Sequence, residues 1–170
     1  MNIRYILHTL SLILKYISTL MLIPCICALC LKEYGSILPF AIPSGLAFFL
    51  SRVFYSKEKQ GEEFNNLNKS EAFAVVLASW FLLSVLSSIS YLFFGLSPIN
   101  ALFESVSGVT TTGATILTDF SRYPGTMFFW RSFSQWLGGM GILVLFIAIL
   151  PKFAVAGRQM FFAESPGASS

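Results

Sequence analysis

Residues 97–120 read SPINALFESVSGVTTTGATILTDF, and the fold turns on whether this stretch crosses, enters or avoids a membrane. Ser97 is a good N-cap and Pro98 a good first helical residue. A helix over 98–108 would be about 16 Å long at 1.5 Å per residue, half a typical hydrocarbon core. Gly108 is placed to end it. Val109, Thr110, Thr111 and Thr112 are all β-branched, which disfavours helix, and Gly113 is free to adopt a positive φ. Residues 105–118 form an uncharged run of 14 residues, the length of a re-entrant segment rather than a span.

Half a helix followed by extended chain is tolerated at membrane depth only where the backbone is buried in protein or lines a watery cavity. Elsewhere each unpaired peptide group costs several kcal/mol. Carbonyls lining such a cavity suit a dehydrated cation, and the helix would aim its partially negative C-terminal end at the bilayer centre, which favours the same charge. The residues therefore predict a short pore helix, a carbonyl-lined strand and two flanking spans. A Thr-rich, Gly-containing surface turn is the plain alternative.

The surrounding sequence supplies the spans. The chain has 170 residues, 55% of them hydrophobic and 11% charged, with a mean hydropathy of +0.73; soluble domains carry about 25% charged residues. A soluble enzyme, a disordered tail and a nucleic-acid-binding module are all disfavoured. Apolar stretches at residues 5–31, 35–55, 72–96 and 126–150 are each near the length that crosses a bilayer as helix. Lys15 interrupts the first, Pro39 and Pro43 foretell a late or kinked start to the second, and Pro151 closes the fourth. The expected fold is an all-α multi-pass membrane protein. Residues 1–56 form an N-terminal helix pair, 57–71 a cytoplasmic loop, 72–150 a helix–pore loop–helix unit and 151–170 the start of a cytoplasmic linker.

Charge placement tests this topology. Arg4, Arg52, Lys57, Lys59, Lys69, Lys152 and Arg158 fall on one side if residues 97–125 enter and return, and only Lys32 and Arg122 fall on the other. The positive-inside bias then puts the N-terminus in the cytoplasm. Cys25, Cys27 and Cys30 lie in an apolar run and read as inert buried thiols rather than a disulfide framework or metal site. One histidine, and no nucleophile paired with a base, argue against an enzyme.

The stretch FESVSGVTTTGATIL, followed by FFWRSFSQWLGGMGILVLFIAILP and then AVAGRQMFFAESPG, resembles the first pore loop and following helix of the Trk/Ktr/HKT superfamily of potassium transport proteins, and within it the TrkH-type membrane subunit. The strong match covers residues 102–167. The resemblance implies that Thr110, Thr111, Thr112 and Gly113 form a selectivity filter. Backbone carbonyls, those of Thr111 and Thr112 among them, would coordinate K⁺, the transported ion, with no covalent cofactor. Gly113 matches the glycine associated with potassium preference. Glu104 falls in the pore helix, either as a charge that draws cations or as a structural partner for a nearby donor. Asp119 and Arg122 fall at the outer mouth.

Arg131 lies six residues into the fourth span, where a salt bridge or snorkelling would offset its cost. Gly138, Gly139 and Gly141 each disfavour helix, and close packing behind the filter explains them better than a gating hinge.

The resemblance further implies a lipid-embedded homodimer in the cell inner membrane, bound to a cytoplasmic nucleotide-binding regulatory subunit of the TrkA kind. The family usually carries four such units around a pseudo-fourfold axis, and one is present here. The chain is thus expected to be a truncated N-terminal part, incomplete alone. A non-conducting scaffold and a fragment of a solute secondary transporter are the competing readings; the latter predicts a second discontinuous segment, which is absent from the sequence.

Overall fold

The computed structural model describes residues 3–55 and 69–143. Among them the chain is all-helical, with no strand. Six helices follow in order: α1 (Ile3–Leu20), α2 (Ile23–Cys30), α3 (Ile37–Phe54), α4 (Lys69–Phe93), α5 (Pro98–Val109) and α6, residues 125–143. Short 3₁₀ turns, Tyr34–Ser36 and Phe120–Arg122, precede α3 and α6. Three segments are long and apolar enough to cross a membrane: Ile6–Cys30, Tyr34–Phe54 and Phe73–Phe93. Residues 144–150 of the expected fourth span, the linker 151–170 and residues 57–68 of the expected loop lie outside the described residues.

The first span differs from the single run expected over 5–31. It is broken between Leu20 and Ile23, and Pro24 is the cause. A proline ring clashes with the carbonyl four residues back, which here is Leu20, the last residue of α1. Helix α3 instead runs straight through Pro43. Helix α4 starts at Lys69, three residues inside the loop expected to end at 71.

Polarity is arranged for lipid. Large apolar side chains such as Leu38, Phe49, Leu77 and Phe81 stand exposed, whereas Ser11, Ser18, Ser44, Ser84, Ser90, Ser105 and Ser134 are buried between helices. Small residues let helices approach closely where no hydrophobic drive pulls them together in lipid. Antiparallel α1 and α3 meet at Ser18 and Ser44, each hydroxyl donating to the other's backbone carbonyl at 2.9 and 2.8 Å. One apolar core joins both halves of the chain, with Leu14, Met21, Phe40, Leu86, Tyr91, Val109 and Trp130 packed together. It holds α5 and α6 against the N-terminal helices.

Candidate functional site

The site is built on α5 and the chain that follows it. Ser97 takes extended φ/ψ (−63°, 155°) and accepts a hydrogen bond from the Asn100 backbone N–H, with Pro98 opening the helix. The 12 residues of α5 make about 18 Å. Gly108 does not end the helix, contrary to the sequence reading: α5 continues to Val109 and Gly108 is buried within it. Its role is contact. A Cβ there would come within 2.8 Å of Ser134 Oγ on α6.

The helix ends instead through Thr111, which adopts φ 60°. The Thr111 N–H donates to the Gly108 carbonyl at 3.0 Å and the Thr112 N–H to the Ser107 carbonyl at 3.1 Å. This pair of bonds is a Schellman closure with a β-branched residue in the position glycine usually holds. The α-helix thus runs one residue past the expected 108, and Thr110 and Thr111 form the turn that ends it.

Beyond Gly113 (φ 76°) the chain returns alongside α5. The Ser107 hydroxyl donates to the Ala114 carbonyl at 2.6 Å. Glu104, fully buried, accepts from the Thr115 hydroxyl (2.6 Å) and the Ile116 N–H (2.7 Å) on one oxygen. Its other oxygen accepts from Arg131 Nε at 2.8 Å. Arg131 Nη2 also reaches the carbonyls of Ala114 (2.8 Å) and Gly113 (3.2 Å). Arg131 is therefore no snorkelling rim charge. With Glu104 it clamps the returning chain between α5 and α6, and a pair this buried, 16% and 0% exposed, would cost about 3–5 kcal/mol to break.

The C-terminal end of α5 abuts α6 at Gly138, where an added Cβ would overlap the Val109 carbonyl oxygen. Gly138 is 13 residues past Gly125, about 20 Å along α6, so the turn packs far along that helix rather than at its start. Gly141 makes room for the Trp80 ring of α4, whose Nε1 would be 2.8 Å from a Cβ. Gly139 faces the Thr111 methyl at a looser 3.7 Å.

These contacts sort the backbone oxygens. Those of Ser107, Gly108, Gly113 and Ala114 are engaged. Among the described residues no hydrogen bond reaches the carbonyls of Thr110, Thr111 or Thr112, although the Thr110 and Thr112 hydroxyls pair with each other at 2.9 Å. Thr111, Thr112 and Gly113 are exposed. Beside them lies an apolar cavity of about 400 Å³ walled by Ile99, Leu102, Phe103 and Val106 of α5. Farther along the segment Asp119 accepts from the Ser121 N–H and hydroxyl. Asp119 and Arg122 line a recess of about 150 Å³. The free cysteines Cys25, Cys27 and Cys30 form no part of this site, and no metal-binding cluster of His, Cys, Asp or Glu occurs among the described residues.

One participant escaped the sequence reading. Glu33, between α2 and α3, accepts from the Gly125 N–H (2.8 Å), the Thr126 N–H (2.9 Å) and the Thr126 hydroxyl (2.6 Å). It satisfies donors that every helix N-terminus leaves open, so the N-terminal pair holds the helix that carries Arg131. Nothing local in the sequence signals a contact spanning 92 residues.

Comparison with known proteins bears on the same segments. The sequence model of a family described as TrkH, cation transport protein, matches residues 40–169. The chain is 34% identical to the Trk system potassium uptake protein TrkH of Vibrio parahaemolyticus over 98% of its own length and 34% of that protein's. It is 33% identical to the Trk system potassium uptake protein TrkG of Escherichia coli K12, with the same coverage. The crystal structure of the potassium transporter TrkH from V. parahaemolyticus superposes with a TM-score of 0.76 at 30% identity, over 96% of this chain and 37% of that one. The chain spans about a third of the length of the curated relatives it matches.

Proposed function

The chain belongs to the TrkH family of cation transport proteins, integral membrane transporters rather than enzymes, and on that premise we propose that it forms one wall of a potassium pathway. In this reading Thr110, Thr111, Thr112 and Gly113 are the filter, and the carbonyls of the three threonines replace part of the water shell of K⁺. The observation that carries it is the division of labour among backbone oxygens. Those of Ser107, Gly108, Gly113 and Ala114 are bonded into the fold, while those of Thr110, Thr111 and Thr112, next to the C-terminal end of α5, have no donor among the described residues. Glu104 and Arg131 are positioning residues for this wall, and Gly138 and Gly141 let α6 back it.

One strand lines one side of an ion. The exposed apolar face of α5, with Ile99, Leu102, Phe103 and Val106, fits packing against further such units around a common axis. The assembled protein sits in the inner membrane with its N-terminus in the cytoplasm, as a dimer bound to a nucleotide-binding regulatory subunit. The positive-inside distribution supports that orientation.

Rb⁺ uptake in a potassium-requiring strain tests the proposal. Cells expressing the full-length protein should take up Rb⁺, and Gly113→Asp should abolish uptake by placing a carboxylate in the filter turn. Equal uptake by the two would remove the filter assignment.

A further inference from the structure

We propose that the groove between α1 and α3 binds the phosphate headgroup of an anionic phospholipid, in the leaflet on the N-terminal side of the protein. A cavity of about 490 Å³ opens there, lined by Ser11, Lys15, Phe48, Ser51, Arg52 and Tyr55. None of its lining residues belongs to the filter segment, and its chemistry is independent of what the protein transports. Lys15 is nine residues beyond Ile6, where the first apolar span begins, which puts its Cα about 14 Å into the membrane zone. A cation there costs about 2.5–3.5 kcal/mol when nothing answers it. Among the described residues neither Lys15 nor Arg52 forms an ion pair.

The two charges converge because of helix geometry. Side chains on a helix lean toward its N-terminus. Helices α1 and α3 are antiparallel, with Ser18 facing Ser44 and the His8 and Tyr55 rings tilted against each other at 5.5 Å. Lys15 therefore leans outward toward the membrane surface and Arg52 leans inward from it, its guanidinium 5.5 Å from the Phe48 ring centroid. Both line the one cavity, and a headgroup phosphate drawn into it would meet the two cations as Lys15 snorkels toward the surface. Two cations with the Ser51 hydroxyl nearby make a phosphate-recognising set, the Ser11 hydroxyl being given to the His8 carbonyl at 2.7 Å, and basic pockets between membrane helices bind acidic headgroups in this way.

The occupant is a lipid rather than a soluble anion because Leu12 and Phe48 form the rest of the wall and exposed Tyr16, Phe49 and Val53 continue the apolar surface around it. An acyl chain can lie along that surface. A hydrated phosphate gains nothing from it.

Native mass spectrometry of the full-length protein in detergent tests this. The protein is exposed to equal amounts of phosphatidylglycerol and phosphatidylcholine, and the retained lipid is counted. Wild type should retain phosphatidylglycerol in preference. Lys15→Met and Arg52→Gln should each weaken retention about fivefold, from about 1 kcal/mol per basic residue, at unchanged helical circular dichroism. Lys15→Arg should keep it. Equal retention of the two lipids by wild type would overturn the proposal, as would undiminished phosphatidylglycerol in both neutral variants. Displacement of phosphatidylglycerol by an equal concentration of inorganic phosphate would show a soluble-anion site and overturn it too. Should a neutral variant fail to fold, the wild-type lipid preference and Lys15→Arg decide the matter.

Discussion

Three helices end with the same closure at Lys32, Gly95 and Thr111, each in the left-handed region at φ 58°, 87° and 60°. At each, the N–H of that residue and the N–H of the next bond back to carbonyls three and five residues earlier. Only Gly95 advertises such an ending in its residue type. At Thr111 the β-branched side chain makes the conformation costly, by about 1–3 kcal/mol, and such strain concentrates where function needs a fixed backbone. Thr111→Gly should accordingly raise stability by about 1 kcal/mol, read as a higher melting temperature in detergent. A lower one would mean that Thr111 is held by contacts that outweigh the strain.

Lys32 performs a different service, because its turn presents Glu33 to α6. Burial pushes the Glu33 carboxyl up, but the hydrogen bonds from the Thr126 hydroxyl, Thr126 N–H and Gly125 N–H outweigh it and hold it below the usual carboxylate value. A depressed folded-state value means that the cap contributes fully above the ordinary glutamate range and is lost as pH falls through the lowered value. Melting temperature should therefore drop on acidification through that window, and Glu33→Gln should flatten this part of the profile. An unchanged profile would mean that the cap does not couple the two halves.

At the scale of elements, the glycines of α6 divide by what they touch. Ala at position 138 would gain about 1 kcal/mol of helix propensity but must displace the Val109 carbonyl, an overpacking cost of about 1–3 kcal/mol. Position 139 has only the Thr111 methyl at 3.7 Å. Gly138→Ala should thus destabilise the protein and Gly139→Ala should not, measured side by side by thermal melting. The reverse order would contradict the packing account and favour a hinge.

Much of this element was readable, because Ser97, Pro98 and Gly113 act through local backbone rules that sequence carries. The Gly108 reading failed for a related reason. Glycine is ambiguous between ending a helix and admitting a neighbour, and only the position of Ser134 decides which. The Glu104–Arg131 clamp lay between these cases. Each residue stood out as a costly charge among apolar neighbours, but their meeting depends on how α5 and α6 pack.

For the whole molecule, hydropathy was enough to lay out the three spans found among the described residues, since lipid imposes a length and a polarity that leave few arrangements. The break before Pro24 and the tie from Glu33 to α6 were not legible, one because prolines can also be absorbed, as at Pro43, the other because it joins distant segments. What the described fold achieves is a turn at the end of α5 backed by α6 at Gly138, with the carbonyls of Thr110, Thr111 and Thr112 free of donors among the described residues. Anomalous diffraction from crystals of the full-length protein grown in Rb⁺ would test this most directly. A Rb⁺ peak should lie against the Thr110, Thr111 and Thr112 carbonyl oxygens. A peak elsewhere along the pathway, with those three oxygens bonded to protein donors, would contradict the account.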